Sequence, residues 1–194
     1  WFDVEPGTNP GFLYQQNTMR DALVAGVTLD IFNKHCDRVK MACIAQMVNV
    51  LQSVILTEGP KMILTPTYHV FHMYRHHQGA ELVESHVEGN QNIGEEEAYQ
   101  VPQISESVSV GGDGTVNVTV NNLSVTAAAS LELSFAELEP SCVEAVILTG
   151  EMCAYNTFEE PETVKEAVFH DFKIDGRKVS FTIPACSVIS FRVK

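Results

Sequence analysis

The chain has 194 residues and a formal net charge of −13, a length that suits one large domain or two small ones. Residues 1–80 carry as many bases as acids, so the whole negative excess lies in 81–194. Such a surface repels phosphate backbones. No stretch approaches the roughly 18 apolar residues of a membrane-spanning helix, and the N-terminus lacks the pattern of a signal peptide. We therefore expect neither nucleic acid nor a membrane as a partner.

The first 36 residues predict a loop followed by a helix. Residues 1–16 are rich in Pro and Gly, which leaves no room for a regular element. The first residue is Trp1 rather than Met, so we expect the chain to begin inside a longer protein. Residues 18–36 predict a helix, because Thr18 and Asp21 offer an N-terminal cap. An apolar stripe recurs at every fourth residue, at Met19, Leu23, Val27 and Ile31, and it is widened by Ala22, Ala25, Gly26 and Leu29.

A nearly continuous apolar run follows and predicts a buried parallel strand over Val39 to Asn49. Apolar residues on both faces are typical of a strand covered by helices. Gln46 and Asn49 interrupt the run near its C-terminal end. In (β/α)8 barrels the active site is built from the C-terminal ends of strands, so Gln46 is placed to meet a ligand. A core amide bonded to backbone is the alternative, and composition alone favours it.

Thr65 and Pro66 predict the start of a second helix that runs to about His77 and ends before Gly79. It contains four histidines, whose spacing permits a metal-binding interpretation: His69, His72, His76 and His77. No carboxylate or cysteine lies among them and no H-E-x-x-H motif is present. We therefore expect solvated or hydrogen-bonded histidines, with no metal and no cofactor.

From Glu81 onward the apolar period changes to two, which predicts short strands. They are separated by glycine- or asparagine-rich turns at 111–114, Asn121-Asn122 and 175–176, and residues 89–98 predict an exposed loop. This pattern is typical of a β-sandwich of jelly-roll type. Six phenylalanines are candidates for a sugar-stacking platform, but their alternation with polar residues favours a core. They are Phe135, Phe158, Phe169, Phe172, Phe181 and Phe191.

Five cysteines occur without a metal-ligand spacing: Cys36, Cys43, Cys142, Cys153 and Cys186. Their odd number predicts reduced and mostly buried thiols. Reduced thiols favour an intracellular, cytoplasmic location.

Several blocks in chain order resemble the C-terminal part of family-51 α-L-arabinofuranosidases. They are Trp1-Phe2-Asp3-Val4, the helix around Met19 to Val27, 34–40, 45–50, 64–71 and the Tyr155-Asn156-Thr157-Phe158 segment. The resemblance implies an α+β fragment, in which the last helix, strand and helix of a (β/α)8 barrel precede an all-β sandwich of jelly-roll type. On that alignment residues 1–80 are the C-terminal piece of the catalytic barrel and 81–194 form the sandwich.

The resemblance also implies a retaining glycosidase that releases terminal α-L-arabinofuranosyl residues from arabinan or arabinoxylan saccharides. The nucleophile would lie four residues before Trp1 and the acid/base further upstream, so neither catalytic glutamate is in this chain, which we expect to be inactive alone. The substrate-binding candidates are Trp1, which would wall the sugar site, and Gln46, which would hydrogen-bond the furanose. Asn49 would either line the pocket or tie the loop after the strand.

Two other functions stay open for the sandwich. A carbohydrate-binding module would need exposed aromatic rings, for example Tyr155 or Phe158. A structural domain that braces the barrel would instead carry an apolar patch on its outer face. The resemblance also implies that the intact enzyme is a homo-oligomer.

Overall fold

The computed structural model describes residues 17–45, 47–95 and 97–194. Its first part holds two helices and a hairpin: α1 Met19–Lys34, β1 Ile55–Glu58, β2 Lys61–Leu64 and α2 Pro66–Tyr74, which a 3-10 turn extends over Arg75–His77. The remaining strands are β3 Glu81–Val83, β4 Asn92–Ile93, β5 Val101–Pro102, β6 Ile104–Val110, β7 Val116–Asn122, β8 Ala129–Ser134, β9 Val143–Thr149, β10 Ala167–Val168, β11 Phe172–Asp175, β12 Lys178–Ile183 and β13 Ser187–Val193. None of the helices in these ranges is long and apolar enough to cross a membrane.

Helix α1 forms where predicted, and it buries the N-terminal part of the predicted stripe. The backbone N–H and the hydroxyl of Thr18 both donate to Asp21 Oδ2, at 2.7 and 2.9 Å, which fixes the first turn. The predicted stripe is buried at Met19, Ala22, Leu23 and Gly26, whereas Ile31 is 51% exposed. Asp30, which is not part of that stripe, completes the buried face, so a glycine and a carboxylate lie on the inner side of the helix.

Helix α2 confirms the predicted second helix. The hydroxyl of Thr65 accepts from the N–H of Tyr68 at 3.4 Å, and Pro66 occupies the first turn. Val70, Met73 and Tyr74 are buried. They pack against α1 and the outer face of the larger sheet, in a core cluster that includes Met19 and Val188.

The predicted strand over Val39 to Asn49 is not formed, which corrects the expectation. Among its described residues, 39–45 and 47–49, the only ladder contact is one parallel bridge between Val48 and Ile55. Most of its described side chains are exposed, with Met41 80% and Met47 64% accessible, while Val39 and Ile44 are half-buried. A parallel strand needs neighbouring strands along its edges and helices over its faces. Among the described residues the only strand that bridges to this segment is β1, and it does so at one residue, Ile55.

The β-sandwich confirms the prediction for the second part of the chain. A six-stranded sheet of order β10-β9-β13-β7-β6-β3 packs on a three-stranded sheet of order β11-β12-β8, and all pairs are antiparallel. The core between them includes Phe169, Phe181 and Phe191, whose ring centroids lie 4.8 to 6.4 Å apart. Core packing of these rings, rather than a sugar-stacking platform, is what the structure shows.

The predicted turn at Asn121-Asn122 is wrong, because both residues are buried within β7. Strand β7 pairs with β6 on one edge and β13 on the other. The even-numbered valines of β7 join the sandwich core, while Asn117, Thr119 and Asn121 alternate with them. Both faces of β7 are therefore covered, one by the second sheet and the other by the helices.

The helices contact the sheet through a buried polar network centred on Asp30. Its Oδ1 accepts from the hydroxyls of Tyr74 at 2.7 Å and Thr119 at 3.2 Å. Its Oδ2 accepts from Ser105 Oγ at 2.6 Å and Asn121 Nδ2 at 2.7 Å. Four donors on three elements, α2, β6 and β7, thus converge on one carboxylate, which fixes the orientation of α1 on the sheet.

Burial disfavours the charged forms of two side chains at this interface, Asp30 and His77. Burial raises the pKa of Asp30 to about 6, although its hydrogen bonds act in the opposite direction. Burial also lowers the pKa of His77 to about 4, so its imidazole is neutral at pH 7. The neutral ring lies 2.8 Å from Ser109 Oγ and 3.2 Å from Thr119 Oγ1. Hydrogen bonds, rather than an ion pair, therefore connect the turn after α2 to the sheet.

The cysteines correct another expectation. All five are free thiols, but Cys36, Cys43, Cys142 and Cys153 are exposed and only Cys186 is buried. The four exposed cysteines lie in turns or irregular segments at the surface. Thiol burial was therefore a poor inference from residue type.

Candidate functional site

Two of the three predicted substrate-binding residues, Trp1 and Gln46, lie outside the described residues. The third, Asn49, is described and lies in the loop that leads from the apolar run to β1. Their roles as substrate contacts stay predictions.

Asn49 fastens this loop to β1 through both its backbone and its side chain. Its φ is 55°, a left-handed conformation that asparagine tolerates better than most residues. The backbone N–H donates to Ile55 O at 3.1 Å. The carboxamide donates from Nδ2 to Thr57 Oγ1 at 2.8 Å and accepts the Thr57 N–H at 2.7 Å. These contacts support the loop-tying alternative for Asn49.

The other side of the same loop is anchored to the helices. Ser53 O accepts from Asn17 Nδ2 and from Thr65 Oγ1, each at 2.9 Å. Gln52, with φ 59°, donates from Nε2 to Asp21 Oδ1 at 2.9 Å. The cap residues of α1 and α2 therefore also hold the loop, so its position depends on both helices.

One surface next to Asn49 is apolar and exposed. Met41, Met47, Val48, Val50 and Met62 are all at least 41% accessible. Clustered exposed apolar side chains indicate a surface that another protein element covers.

Asn156, from the Asn-Thr-Phe segment, has a structural role. It is buried, and its Nδ2 donates to Leu64 O at 2.8 Å and Val164 O at 2.9 Å. Its Oδ1 accepts the Val164 N–H at 2.7 Å. The side chain thus joins the end of β2 to the segment before β10, and it connects the loop region to the sandwich.

Two of the four histidines share a carboxylate that the sequence did not reveal. His69 Nδ1 lies 3.1 Å from Glu166 Oε1, and His72 Nδ1 lies 2.8 and 3.0 Å from the two oxygens of Glu166. The hydrogen bonds from these rings lower the pKa of Glu166 against the opposing effect of burial. Within the described ranges no group of three or more His, Cys, Asp or Glu side chains could hold a metal ion. His69 and His72 are hydrogen-bonded to Glu166, which agrees with the expectation of solvated or hydrogen-bonded histidines.

The chain is similar to known proteins along almost its whole length. A family model described as the α-L-arabinofuranosidase C-terminal domain matches residues 1–187. An intracellular exo-α-L-arabinofuranosidase of Bacteroides ovatus is 40% identical over 195 residues, which cover 100% of this chain and 38% of the relative. An intracellular exo-α-(1→5)-L-arabinofuranosidase of Streptomyces lividans is 27% identical over 161 residues, 80% of this chain and 24% of the relative.

A solved structure extends the comparison to the fold. The crystal structure of the family-51 arabinofuranosidase of Xanthomonas axonopodis pv. citri superposes with a TM-score of 0.92 at 40% identity, covering 100% of this chain and 39% of that chain. The packing of α1 and α2 on the sandwich is therefore shared with that crystal structure. The chain spans roughly two fifths of the length of these first relatives.

Proposed function

The chain belongs to the α-L-arabinofuranosidase C-terminal domain family, and on that premise we propose that it is the C-terminal part of a retaining α-L-arabinofuranosidase. The intact enzyme would release terminal α-L-arabinofuranosyl residues from arabinan or arabinoxylan saccharides. The observation that carries this proposal is the match of residues 1–187 to the family model. The superposition of the whole chain on an arabinofuranosidase structure supports it.

In this proposal residues 1–80 are the last piece of the catalytic (β/α)8 barrel and 81–194 form the sandwich. The exposed apolar surface around Met41, Met47 and Met62 supports this division, because a severed barrel piece would expose the side chains that its neighbours cover. The loop that Asn49 ties to β1 would then follow the last barrel strand. Gln46, three residues earlier, would contact the furanose, and Trp1 would wall the sugar site.

The chain contributes binding and bracing rather than bond cleavage. Retaining hydrolysis needs two carboxyl groups about 5–5.5 Å apart across the scissile bond. We place both catalytic glutamates in the part of the enzyme that precedes these 194 residues. We therefore assign no catalytic residue, metal or cofactor to this chain.

In this proposal the sandwich braces the barrel instead of binding carbohydrate. Tyr155 and Phe158 are half-buried, and the phenylalanines of the core pack edge to face, which leaves no coplanar platform among these rings. The outer face of the larger sheet is covered by α1 and α2. A brace that holds the two last helices of the barrel is the role that these contacts favour.

We also propose an intracellular location, because the relatives from Bacteroides ovatus and Streptomyces lividans are named intracellular enzymes. Homo-oligomerisation of the intact enzyme stays a prediction. The saccharide partner is likewise proposed from the names of the relatives.

The proposal is tested by assaying hydrolysis of an aryl α-L-arabinofuranoside. The longer polypeptide that includes the upstream barrel should hydrolyse it, whereas the 194-residue chain should not, even at high protein concentration. Turnover by the chain alone, after removal of any co-purifying longer enzyme, would refute the assignment of both catalytic carboxylates to the upstream part. A longer polypeptide that is folded but inactive on this substrate would refute the proposed activity.

A further inference from the structure

A cleft of about 470 Å³ lies between α2 and the strands β9, β10 and β13, away from the loop that carries Asn49. Its walls carry more groups able to be cationic than anionic, although the chain is strongly acidic overall. Arg75, Arg192, His72, His76 and His170 line it, with only Glu144 and Glu166 as carboxylates. We call it the α2 cleft.

Both carboxylates of the α2 cleft are already engaged by neighbouring side chains. Glu166 accepts from His69 and His72. Glu144 Oε2 lies 3.2 Å from Arg192 Nη1 in a salt bridge. The acceptor capacity of the cleft is therefore largely used by the protein itself.

The donors of the cleft are used only in part. Arg75 donates to the backbone carbonyl of His72, and it forms no salt bridge with any residue that the structure describes. Arg192 Nε is buried without a hydrogen-bond partner. A buried donor without a partner is costly unless an acceptor is supplied from outside, whereas the exposed guanidinium of Arg75 is solvated and available to a ligand.

The electrostatic environment of His76 agrees with this excess of donors. Burial is the main cause that lowers its pKa, and the positive charges of Arg75 and Arg192 lower it further. Glu144 acts in the opposite direction but does not outweigh them. A protonated imidazole is therefore disfavoured at this position, as expected where the local potential is positive.

The floor of the α2 cleft is apolar. Val168 is 67% exposed, and Val143 and Phe172 are half-buried beside it. An exposed valine and a partly covered phenylalanine can bury the apolar body of a ligand. Inorganic anions have no such body, so the floor favours an organic one.

We propose that the α2 cleft binds a small organic carboxylate. The carboxylate accepts hydrogen bonds from the donors on the walls, with Arg75 as the main contact and His76 and His170 beside it. The apolar body of the ligand lies on Val168 and Phe172. The inference does not depend on the proposed activity.

The test uses benzoate as the probe and follows the imidazole resonances of the protein by NMR at low ionic strength, where a surface charge is least screened. Benzoate should shift His76 and His170 saturably and raise the pKa of His76, because a nearby anion stabilises the imidazolium ion. Benzyl alcohol, which keeps the ring but lacks the charge, should bind at least about tenfold more weakly. Acetate and inorganic phosphate, which lack the ring, should also bind more weakly than benzoate.

Two variants locate the site. Arg75→Gln should weaken benzoate binding at least about tenfold without changing the melting temperature, because Arg75 is exposed. Lys61→Gln removes the same charge from the exposed β1–β2 hairpin and should leave binding unchanged. Absence of saturable shifts, equal binding of benzyl alcohol, phosphate binding as tight as benzoate, or an equal effect of the two variants would each overturn the proposal.

Discussion

Gln46→Ala in the longer enzyme is expected to lower kcat/KM for an aryl α-L-arabinofuranoside by roughly 10–1,000-fold, which corresponds to about 1.4–4 kcal/mol of transition-state stabilisation. The reason is that a polar contact to a sugar hydroxyl can strengthen as the oxocarbenium-like transition state forms. Steady-state kinetics and the melting temperature, measured on the same preparation, provide the readout. Stability should change much less than activity.

Gln78→Ala is the matched control, since Gln78 is an exposed glutamine after α2. This variant should leave both kinetics and stability close to those of the parent enzyme. A Gln46→Ala enzyme with unchanged kinetics and a lowered melting temperature would instead identify Gln46 as a core amide. That outcome would support the alternative that composition alone favours, in which the Gln46 amide is bonded to backbone in the core.

Gly26→Ala is expected to destabilise the protein, although alanine is the better helix former. A Cβ at position 26 would lie 2.1 Å from Asn121 Oδ1. The amide cannot move freely, because Asn121 Nδ2 donates to Asp30 Oδ2 and to Tyr74 Oη, both at 2.7 Å. Overpacking costs about 1–3 kcal/mol, and helix propensity returns at most about 1 kcal/mol.

The net loss should be measurable by denaturant unfolding, and each kcal/mol should lower the melting temperature by about 2–4 °C for a chain of this size. Asn121→Ala supplies the matched background, because it removes the amide that the new methyl group would meet. In that background Gly26→Ala should be neutral or stabilising. An equal penalty in both backgrounds would show that the close approach of α1 to β7 is not the cause.

Local signals in the sequence predicted the elements whose causes are local. Thr18 with Asp21 and Thr65 with Pro66 marked the starts of both helices, and the alternation of residues in β7, β12 and β13 marked the strands. The same local logic failed at Asn121 and Asn122. Asparagine favours turns when its amide bonds to nearby backbone, but here the partners of Asn121 are Asp30 and Tyr74, which lie far away in the sequence.

The sequence also could not predict that α1 and α2 cover the outer face of the larger sheet, because the residues that meet there are far apart in the sequence. Thr119 and Asn121 alternate with valines and look like the wet face of a sandwich. They are buried because α1 and α2 bring Asp30 and Tyr74 over them. Polar residues indicate a solvent-exposed face only when no other element supplies hydrogen-bond partners.

The candidate site was predictable in part. The amide at Asn49 was identified, but the left-handed backbone and the bonds to Thr57 depend on the β1–β2 hairpin, which the sequence did not predict. Glu166 was missed because it is 94 residues from His72. The buried strand was predicted from apolar residues alone, and such residues cannot show whether the strands beside them belong to the same chain.

Hydrogen exchange tests most directly whether residues 39–49 are a barrel strand whose neighbours lie in the rest of the enzyme. In the 194-residue chain the amides of Ile44 and Val48 should exchange far faster than those of Val118 and Phe181, which lie on strands paired along both edges. In the longer enzyme Ile44 and Val48 should become protected to a similar degree. Strong protection of Ile44 and Val48 in the monomeric chain, or fast exchange that persists in the longer enzyme, would contradict the barrel assignment.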